Sequence, residues 1–399
     1  MKPGKNHVLT INGGSSSIKF ALYEVENGLK LKVKGEIENI GMEGTNFTFT
    51  NDLSNRKRQV IVEAGDHTAA IEFLIGWLGK LTGFELVKAI GHRVVFGMDH
   101  TEPEVITAKL LKELKEISAF DPDHPPEEIK LIEVFQRHYP DIVQVACFDT
   151  SFHTTMPPVA KLLAIPRRFN AMGIQRYGFH GISYSYLMAQ LEQAEGNPMF
   201  RGKVVLAHLG NGASLAAVKD GKSIDTSMGF SPAAGIPMGT RTGDLDPGAA
   251  WYLMKTENLS PKQFNHLVNH ESGLLGVSET SSDMRELIKQ QDKDNRAAEA
   301  VELFCYQTKK WIGSFAAALN GIETLVFSGG IGENSPEVRE RICNGLQFLG
   351  IELGREANFN NGPIISAVAS PVCVRVIKTD EVLMIARSVC HILNYNIKN

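Results

Sequence analysis

The sequence lacks the features that define several large protein classes. Its five cysteines are widely spaced and form no CxxC pair, which argues against a disulfide framework and against a zinc site. Aromatic residues make up 8% and charged residues 22% of the chain, which is ordinary for a folded protein and excludes global disorder. No apolar run approaches the roughly 18–20 residues of a membrane span. We therefore expect each cysteine to be a small buried residue, and we expect no membrane partner.

An excess of charge of one sign is also missing. The chain has 41 Lys and Arg against 45 Asp and Glu, a net charge of −4. Nucleic-acid binders need clustered positive charge to replace counterions, so no nucleic-acid partner is expected. The first residues lead directly into a strand-like run at residues 8–11 and show no signal peptide. Together with the cysteine usage, this predicts a cytoplasmic protein.

The chain does have an excess of glycine and an internal repeat. It contains 37 glycines among 399 residues, above the usual frequency of about 7%. Strand-like and helix-like segments alternate, which predicts an α/β fold. Residues 8–33 read as strand, glycine-rich turn, strand, hairpin turn and strand, and residues 204–225 repeat that order. A repeat at half the chain length predicts two related domains rather than a solenoid, with a boundary near residue 150.

Local signals place several turns and helix ends. The pair Asn27-Gly28 predicts a hairpin, because both central positions of a tight hairpin turn need positive φ. Ser335 followed by Pro336 predicts a helix N-cap, and Gly321 predicts a helix stop. Apolar periodicity and these signals predict helices over residues 68–81, 107–117, 295–320 and 380–393.

Three glycine-rich turns point to a bound anion. They lie at residues 12–17, 208–214 and 328–334. Glycines let the backbone approach a ligand closely, and successive N–H groups with hydroxyls form an anion-binding concavity. One such turn is equally well explained as a plain β-turn with a polar tip. However, two of these turns occupy equivalent places in the repeat, and the third leads into a capped helix. This arrangement favours a nucleotide site, and Lys19 is spaced to reach a phosphate.

Two common nucleotide motifs are absent. Ala216 stands where a P-loop ending in Gly221-Lys222-Ser223 needs its first glycine, and Leu215 stands where a GxGxxG motif from Gly210 needs its last. Phosphate turns on hairpins in two repeated halves instead resemble the actin, hexokinase and heat-shock ATPase superfamily. That resemblance implies two duplicated ribonuclease-H-like domains around an ATP cleft. Residues 1–150, completed by the C-terminal helix 380–399, would form the first, and residues 151–379 the second, which carries the nucleotide site.

Four further polar residues stand out, namely Arg93, Asp149, His180 and Arg241. Taken singly, each has a structural explanation, such as a surface ion pair, a turn cap or a hydrogen-bonded histidine. Taken together with their flanking motifs, they closely resemble the acetate kinase family in order and spacing, from residue 8 to the final helix. The motifs are residues 12–19 (NGGSSSIK), 179–181 (FHG), 208–212 (HLGNG), 239–247 (GTRTGDLDP) and 330–334 (GIGEN).

The resemblance implies reversible transfer of the γ-phosphoryl group of ATP to a short carboxylate, with acetate as the expected substrate. A carboxylate is ionised at neutral pH and needs no general base, so the protein must position two anions and spread the transferred charge. By resemblance, Arg93 and Arg241 bind the carboxylate and the phosphoryl group, and His180 donates a hydrogen bond to the transition state. Asp149 would hold Mg²⁺ and its waters rather than remove a proton.

The resemblance also assigns the remaining site residues. Asn12 and Glu381 match magnesium positions, where Mn²⁺ is an alternative metal, and a homodimer is implied. The acyl pocket is formed by Arg93, Val95, Phe179 and Pro232. ATP or ADP is the co-substrate, bound by Ser15, Ser17, Lys19, His208, Leu209, Gly210, Asn211, Gly212, Asp283, Met284, Arg285, Gly330, Ile331, Gly332, Glu333 and Asn334.

The sequence departs from the family pattern at positions near the acyl-binding pocket. Phe96 and Met98 replace a usual His and Gly, and Asp123 stands where a leucine usually lines the methyl pocket. A buried unpaired aspartate is costly, so either Asp123 points away or the pocket differs in size and polarity. Tyr184 replaces a usual histidine, and Val382 replaces a second glutamate.

These departures leave two alternatives open. The first is a kinase for propionate or another short carboxylate. The second is a non-catalytic nucleotide-binding protein of the actin or chaperone type. The second is less consistent with the residues, because such a scaffold has no need for Arg93, Asp149, His180 and Arg241.

Overall fold

The computed structural model divides the chain into two compact units. Unit 1 comprises Met1–Ser151 and Asp380–Asn399, and unit 2 comprises Phe152–Thr379. The structure describes residues 6–14, 17–41, 44–51, 57–117, 125–196 and 202–395, so Ser15 and Asp123 lie outside the described residues. None of the helices within the described residues is both long and apolar enough to cross a bilayer.

The two units have separate sheets. The strands of unit 1 are β1 (Asn6–Gly13), β2 (Ser17–Val25), β3 (Leu29–Glu38), β4 (Asn46–Asn51), β5 (Arg58–Ile61), β6 (Val87–Val94), β7 (Glu104–Val105) and β8 (Val143–Phe148). The strands of unit 2 are β9 (Lys203–Leu209), β10 (Ala213–Lys219), β11 (Lys222–Thr226), β12 (Thr324–Ser328) and β13 (Cys373–Val376).

Helices connect the strands in both units. Unit 1 contains α1 (His67–Leu78), α2 (Ala108–Ile117) and α3 (Pro125–His138). Unit 2 contains α4 (Pro158–Lys161), α5 (Arg167–Asn170), α6 (Gly181–Glu195), α7 (Pro247–Thr256), α8 (Pro261–His270), α9 (Gly273–Ser278), α10 (Met284–Gln290), α11 (Asn295–Ala318), α12 (Gly329–Asn334), α13 (Pro336–Cys343) and α14 (Arg355–Phe359). The last helix, α15 (Glu381–Ile392), belongs to unit 1.

Five of the described strands of the unit 1 sheet have the same order and directions as the five described strands of the unit 2 sheet, which agrees with the repeat. Among the described residues, unit 1 has the strand order β5-β4-β3-β2-β1-β6-β8-β7 and unit 2 has β11-β10-β9-β12-β13. In unit 1 the first three strands are antiparallel neighbours, and β1, β6 and β8 are parallel. In unit 2, β9, β10 and β11 are likewise antiparallel, and β9, β12 and β13 are parallel. The α/β prediction is therefore confirmed.

Both predicted hairpins form, but only one of them has the positive φ values on which the prediction rests. Asp220 and Gly221, between β10 and β11, have φ values of 51° and 77°, as a tight hairpin turn requires. The hairpin between β2 and β3 also forms, but Asn27 and Gly28 do not adopt positive φ. The connection spans three residues, and the Glu26 amide donates to the Gly28 carbonyl at 3.1 Å. The longer loop removes the need for two left-handed residues.

The helix ends follow the predicted caps within a few residues. The Ser335 side chain accepts from the Val338 amide, and Pro336 is the first residue of α13. Gly321 follows α11 with φ 110°. The helix predicted over residues 68–81 ends earlier, because Gly79 caps α1 and a 3₁₀ turn follows.

Helix α15 packs on the sheet of unit 1 through a glycine. A Cβ atom on Gly91 of β6 would lie 2.5 Å from Cγ2 of Ile385 and 2.6 Å from Cγ2 of Val389. Only a glycine therefore lets the helix approach this strand so closely. The close packing places the start of α15, at Glu381, beside the strands that carry the candidate site.

All five cysteines are free, and four of them are buried. Burial raises the pKa of Cys147, Cys305 and Cys343 to about 12. Such thiols are neutral at physiological pH and are not nucleophiles. The four buried cysteines therefore act as small apolar residues, as the sequence predicts, whereas Cys373 is only partly buried.

Candidate functional site

One edge of the unit 1 sheet gathers four of the predicted residues. Asn12 lies at the end of β1, Arg93 at the end of β6 and Asp149 immediately after β8. These strands are parallel neighbours, so their carboxyl ends meet at the same edge. The amide of Asp149 donates to the Val94 carbonyl at 2.9 Å, which extends the β6–β8 ladder to the site.

The four side chains form one hydrogen-bonded group. Arg93 donates from Nε to Asp149 Oδ2 at 2.9 Å and from Nη2 to the same oxygen at 2.5 Å. Its Nη1 donates to Asn12 Oδ1 at 3.3 Å. Asn12 Nδ2 donates to Glu381 Oε2 at 2.7 Å. Asn12 therefore links the ion pair to the carboxylate that α15 provides.

The ion pair of this group is buried. The Asp149 side chain is 1% exposed and that of Arg93 is 16% exposed. Burial tends to lower the pKa of Arg93, but the charges of Asp149 and Glu381 outweigh it and raise the pKa above its ordinary value. Breaking a buried pair leaves an uncompensated charge and costs about 3–5 kcal/mol. Replacing either Arg93 or Asp149 alone by a neutral residue is therefore expected to destabilise the protein.

Glu128 is a residue of this region that the sequence does not single out. Its carboxylate, on α3, is buried and accepts a hydrogen bond from the amide of Val95 at 2.9 Å. The negative charge of Glu128 also contributes to the raised pKa of Arg93. An acidic residue in the first turn of a helix usually stabilises that helix, so sequence pattern alone gives no sign of this second contact.

The first glycine-rich turn joins β1 to β2. The Gly14 amide donates to the Ser17 carbonyl at 2.7 Å. Lys19 pairs with Asn12 across the two strands, and its Nζ atom lies 3.4 Å from Glu36 Oε1. Burial is the main reason that the pKa of Glu36 is raised, although Lys19 opposes the shift. The Lys19 side chain is 54% exposed, so its ammonium group is accessible to solvent.

The other two glycine-rich turns meet in unit 2. His208 and Ser328 are register partners on the parallel strands β9 and β12. A Cβ atom on Gly210 would lie 3.8 Å from the Gly330 amide nitrogen and 3.8 Å from His208 Nε2. A Cβ atom on Gly329, whose φ is 75°, would lie 2.7 Å from the Leu209 carbonyl oxygen. Glycine is therefore required where the turns touch.

His180 and Arg241 converge on the Gly212 turn. A Cβ atom on Gly212 would lie 3.3 Å from His180 Nε2 and 3.6 Å from Arg241 Nη1. Arg241 Nη1 also donates to the carbonyl of Pro232, a buried residue, at 3.4 Å. Two side-chain nitrogens thus face Gly212, a position of the turn that has no side chain. This arrangement suits the binding of an anionic group.

His180 is held in an uncommon backbone conformation. It caps α6 with φ 58° and ψ 22°, the left-handed region that non-glycine residues rarely adopt. Its ring stacks on that of His208, with centroids 4.4 Å apart. Its Nδ1 lies 2.8 Å from Ser214 Oγ, and His208 Nδ1 lies 2.8 Å from Ser183 Oγ. The two serines were not predicted from the sequence, because hydroxyl side chains next to a motif are common in any loop.

The segment that carries Arg241 is fixed by backbone contacts. The Gly239 amide donates to the Asn211 carbonyl at 3.0 Å, and the Leu274 amide donates to the Met238 carbonyl at 2.8 Å. A Cβ atom on Gly273, whose φ is 62°, would lie 2.1 Å from that same Met238 oxygen. Gly273 is a second residue that the sequence did not single out, although it starts α9 directly after Ser272.

Residues 328–334 form a short helix rather than the predicted turn. Glu333 Oε1 accepts hydrogen bonds from the Gly329 and Thr379 amides, both at 3.0 Å, and so holds the start of α12. Asn334 Nδ2 donates to the Gly330 carbonyl at 2.9 Å, while Ile331 is half-buried. The side chain of Glu333 supplies the cap that allows these residues to close one helical turn.

Helix α12 is held in place by a buried arginine, Arg339, on α13. Arg339 is fully buried and donates to the Gly332 carbonyl at 2.8 Å and to Asn358 Oδ1 at 2.8 Å. Burial lowers its pKa to about 10. The sequence did not indicate this role, because an arginine on a polar helix usually faces solvent.

The predicted segment at residues 283–285 caps α10. Asp283 accepts from the Arg285 amide at 2.8 Å, and the Arg285 guanidinium donates back to the Asp283 carboxylate. Met284 is buried, whereas the Arg285 side chain is 85% exposed. The exposed guanidinium is available to a ligand at this surface.

The predicted site residues therefore divide between the units. Unit 1 carries Asn12, Ser17, Lys19, Arg93, Val95, Asp149 and Glu381. Unit 2 carries Phe179, His180, His208, Leu209, Gly210, Asn211, Gly212, Pro232, Arg241, Asp283, Met284, Arg285, Gly330, Ile331, Gly332, Glu333 and Asn334.

Comparisons with known proteins agree on one family. The sequence profile of the acetokinase family matches residues 7–387. The chain belongs to the acetokinase family. An acetate kinase of Bacillus subtilis is 41% identical over 393 residues, covering 96% of this chain and 98% of its own length.

Solved structures of this family share the fold. The crystal structure of Porphyromonas gingivalis acetate kinase has a TM-score of 0.86 and 36% identity, covering 97% of this chain and all of its own. A propionate kinase from Francisella tularensis has a TM-score of 0.89 and 36% identity, covering 96% of this chain and 98% of its own. The match to acetokinase structures over nearly the whole chain confirms the predicted α/β class.

The backbone before His180 is held by a buried histidine. His153 Nε2 lies 3.0 Å from the carbonyl of Phe179, a buried residue, and His153 Nδ1 lies 2.9 Å from Ser223 Oγ. A carbonyl only accepts, so Nε2 carries the proton and Nδ1 accepts from the serine hydroxyl. Burial lowers the pKa of His153 from 6.5 to about 4.

This burial predicts acid sensitivity. The unfolded chain binds a proton at His153 below pH 6.5, but the folded protein binds it only near pH 4, so acid favours unfolding across that window. His153→Gln cannot titrate. Urea unfolding followed by fluorescence should show that the wild type loses about 2 kcal/mol more than this variant between pH 7 and pH 5. Equal losses in the two proteins would contradict the assignment.

Proposed function

We propose that this chain catalyses the reversible, ATP-dependent phosphorylation of a short-chain carboxylate, acetate first, to an acyl phosphate and ADP. Membership of the acetokinase family supports the reaction class. The observation that carries the proposal is the convergence of His180 Nε2 and Arg241 Nη1 on the Gly212 turn. Phosphoryl transfer to a carboxylate needs such an arrangement, because the charge of the transferring group must be spread over fixed donors.

Unit 2 is proposed to bind ATP and to stabilise the transferring phosphoryl group. The turn at residues 208–212 and the start of α12 lie together, and the Gly330 amide nitrogen lies 3.8 Å from the Cβ position of Gly210. Arg241 and His180 lie at the same turn, and they donate to the phosphoryl oxygens as charge develops. Direct in-line transfer is proposed, because the carboxylate oxygen is already a nucleophile at neutral pH.

Unit 1 is proposed to bind the carboxylate through Arg93. A guanidinium group recognises a carboxylate through charge-assisted hydrogen bonds, and Arg93 already donates two such bonds to one oxygen of Asp149. Asp149 fixes the guanidinium plane and keeps its charge compensated between turnovers. Val95, whose amide is fixed by Glu128, is proposed to contact the acyl chain.

Magnesium, or manganese in its place, is proposed at Asn12 and Glu381, with Asp149 holding its waters. The donor set fits, because carboxylate and amide oxygens are the ligands that Mg²⁺ prefers, supplemented by water and substrate phosphates. Within the described residues, no group of three or more His, Cys, Asp or Glu side chains is arranged to hold a metal. When bound, the ion neutralises phosphate charge.

The preferred acyl chain is proposed to be acetate, with propionate as the alternative. The acetate kinases among the relatives support the first, and the Francisella propionate kinase keeps the second open. Phe96, at the position of a usual histidine, is buried beside Val95 and makes this segment more apolar. Met98 adopts a φ of 46°, a conformation that the usual glycine adopts without strain.

A homodimer in the cytoplasm is proposed as the working form. Helices α7 and α8 contain no buried residue, although a helix normally gains its stability by burying one face. Trp251 and Tyr252 on α7 are 62% and 61% exposed. A second copy of the chain, as the family resemblance implies, is the proposed partner for this face.

The reaction is tested by trapping acyl phosphate with hydroxylamine. We expect signal from acetate or propionate with ATP and Mg²⁺, a weaker signal from butyrate, and none when EDTA removes the metal. Comparison of kcat/KM across the panel identifies the substrate. ATP hydrolysis without signal from any carboxylate would instead support a non-catalytic nucleotide-binding protein of the chaperone type.

Arg241→Leu tests the phosphoryl clamp. We expect kcat to fall by about a hundredfold or more, because a charged donor to the transition state is lost. Arg296→Leu is the matched control, since this exposed arginine of α11 forms ion pairs with Glu279 and Asp294. It should retain nearly full activity. Near-normal turnover in Arg241→Leu would refute the assignment.

Trp251→Glu tests the dimer. Light scattering coupled to size exclusion should show the wild type at twice the monomer mass and the variant at the monomer mass, because a charge opposes burial of this face. Phe348→Glu, at a residue that is 80% exposed elsewhere in unit 2, should leave the mass unchanged. A monomeric wild type would overturn this proposal.

A further inference from the structure

A chain of hydroxyl groups leads from the core of unit 2 to His180. Tyr184 Oη lies 2.5 Å from Ser214 Oγ, and Ser214 Oγ lies 2.8 Å from His180 Nδ1. Tyr184 is on the first turns of α6, the helix that His180 caps, and Ser214 is on β10 just after the Gly212 turn. The three residues are therefore joined through two different elements of one unit.

The surroundings hold this chain in place. The side chains of Tyr184 and Ser214 belong to fully buried residues. The Tyr184 ring packs edge-on against His153, with centroids 5.6 Å apart, and against Phe152 at 5.7 Å. Tyr184 belongs to a cluster of buried apolar residues that includes Leu187. A buried phenol in such surroundings keeps its hydrogen bond, because rotation away would leave the hydroxyl without solvent.

The acidity of the hydroxyl groups gives the chain a direction. A phenol is a stronger hydrogen-bond donor than an aliphatic alcohol, so Tyr184 donates to Ser214. The Ser214 hydrogen is then directed at His180 Nδ1, which must accept it. A neutral imidazole that accepts at Nδ1 carries its proton on Nε2. We propose that Tyr184 and Ser214 are positioning residues that keep His180 as an Nε2–H donor.

This direction matters at the Gly212 turn. His180 Nε2 lies 3.3 Å from the Cβ position of Gly212, on the same side as Arg241 Nη1. An Nε2–H group there donates to an anion, whereas the other tautomer would present a lone pair and repel it. The inference rests on the proposed role of His180 in phosphoryl transfer. It also gives Tyr184, which replaces the usual histidine of the family, a function of its own.

Tyr184→Phe tests the inference by kinetics. The variant keeps the ring and removes only the donor, so kcat should fall about tenfold, as expected for one hydrogen bond of ordinary strength. KM for ATP and for the carboxylate should stay within about twofold, because ground-state binding is untouched. Tyr177→Phe is the matched control, since its hydroxyl donates to the Gly173 carbonyl at 2.8 Å and the residue is 6% exposed, against 0% for Tyr184. That control should retain wild-type kcat.

A double variant separates the chain from general packing effects. In a Ser214→Ala background the chain is already cut, so adding Tyr184→Phe should reduce kcat no further. Independent losses that multiply would show that Tyr184 does not act through Ser214, and they would overturn the inference.

Nitrogen NMR of the imidazole tests the tautomer without any substrate. With ¹⁵N-labelled histidine, and His180 assigned by comparison with His180→Gln, the wild type should show the proton on Nε2. Tyr184→Phe should show a mixture of both tautomers. A wild-type proton on Nδ1, or an unchanged tautomer together with unchanged kcat in Tyr184→Phe, would overturn the inference. If the wild type phosphorylates no carboxylate, the proposed function fails, while this spectrum still decides the tautomer.

Discussion

The buried ion pair between Arg93 and Asp149 is the interaction on which the site of unit 1 depends. Both residues lie at the carboxyl ends of parallel strands, where the ladder between β6 and β8 brings them within hydrogen-bonding distance. Neither charge could be buried alone, because the desolvation cost of an isolated ion is prohibitive. The pair then orients Asn12, which in turn holds Glu381. One electrostatic constraint thus connects β1, β6, β8 and α15.

In unit 2 the equivalent constraint is steric rather than electrostatic. Gly212, Gly273 and Gly329 each allow a backbone or side-chain approach that a methyl group would block. The donors Arg241 and His180 reach the turn because of these approaches. The cost is a left-handed backbone at His180, which the surrounding hydrogen bonds to Phe179 and Ser214 offset. Rigid support of this kind allows charge stabilisation without reorganisation during the reaction.

Much of the fold could be predicted from the sequence, because its signals are local. Apolar periodicity, Asp220-Gly221 and Ser335-Pro336 act within a few residues, and the structure confirms the elements they indicate. The repeat of residues 8–33 at 204–225 reappears as a shared strand order. The turn predicted at residues 328–334 is instead a short helix, and its capping carboxylate, Glu333, also accepts a hydrogen bond from the amide of Thr379, which lies far along the chain.

The sequence by itself determined the family and the reaction class, and it predicted the residues proposed to carry chemistry, because motif order and residue type are written along the chain. Only the tertiary structure decided what supports those residues. Glu128, Ser214, Gly273 and Arg339 contact the site from positions that are distant in sequence, and no local pattern distinguishes them from ordinary helix or loop residues. Hydrogen bonds and steric limits between distant segments exist only once the sheets have formed, and these interactions set the geometry at His180 and Arg93.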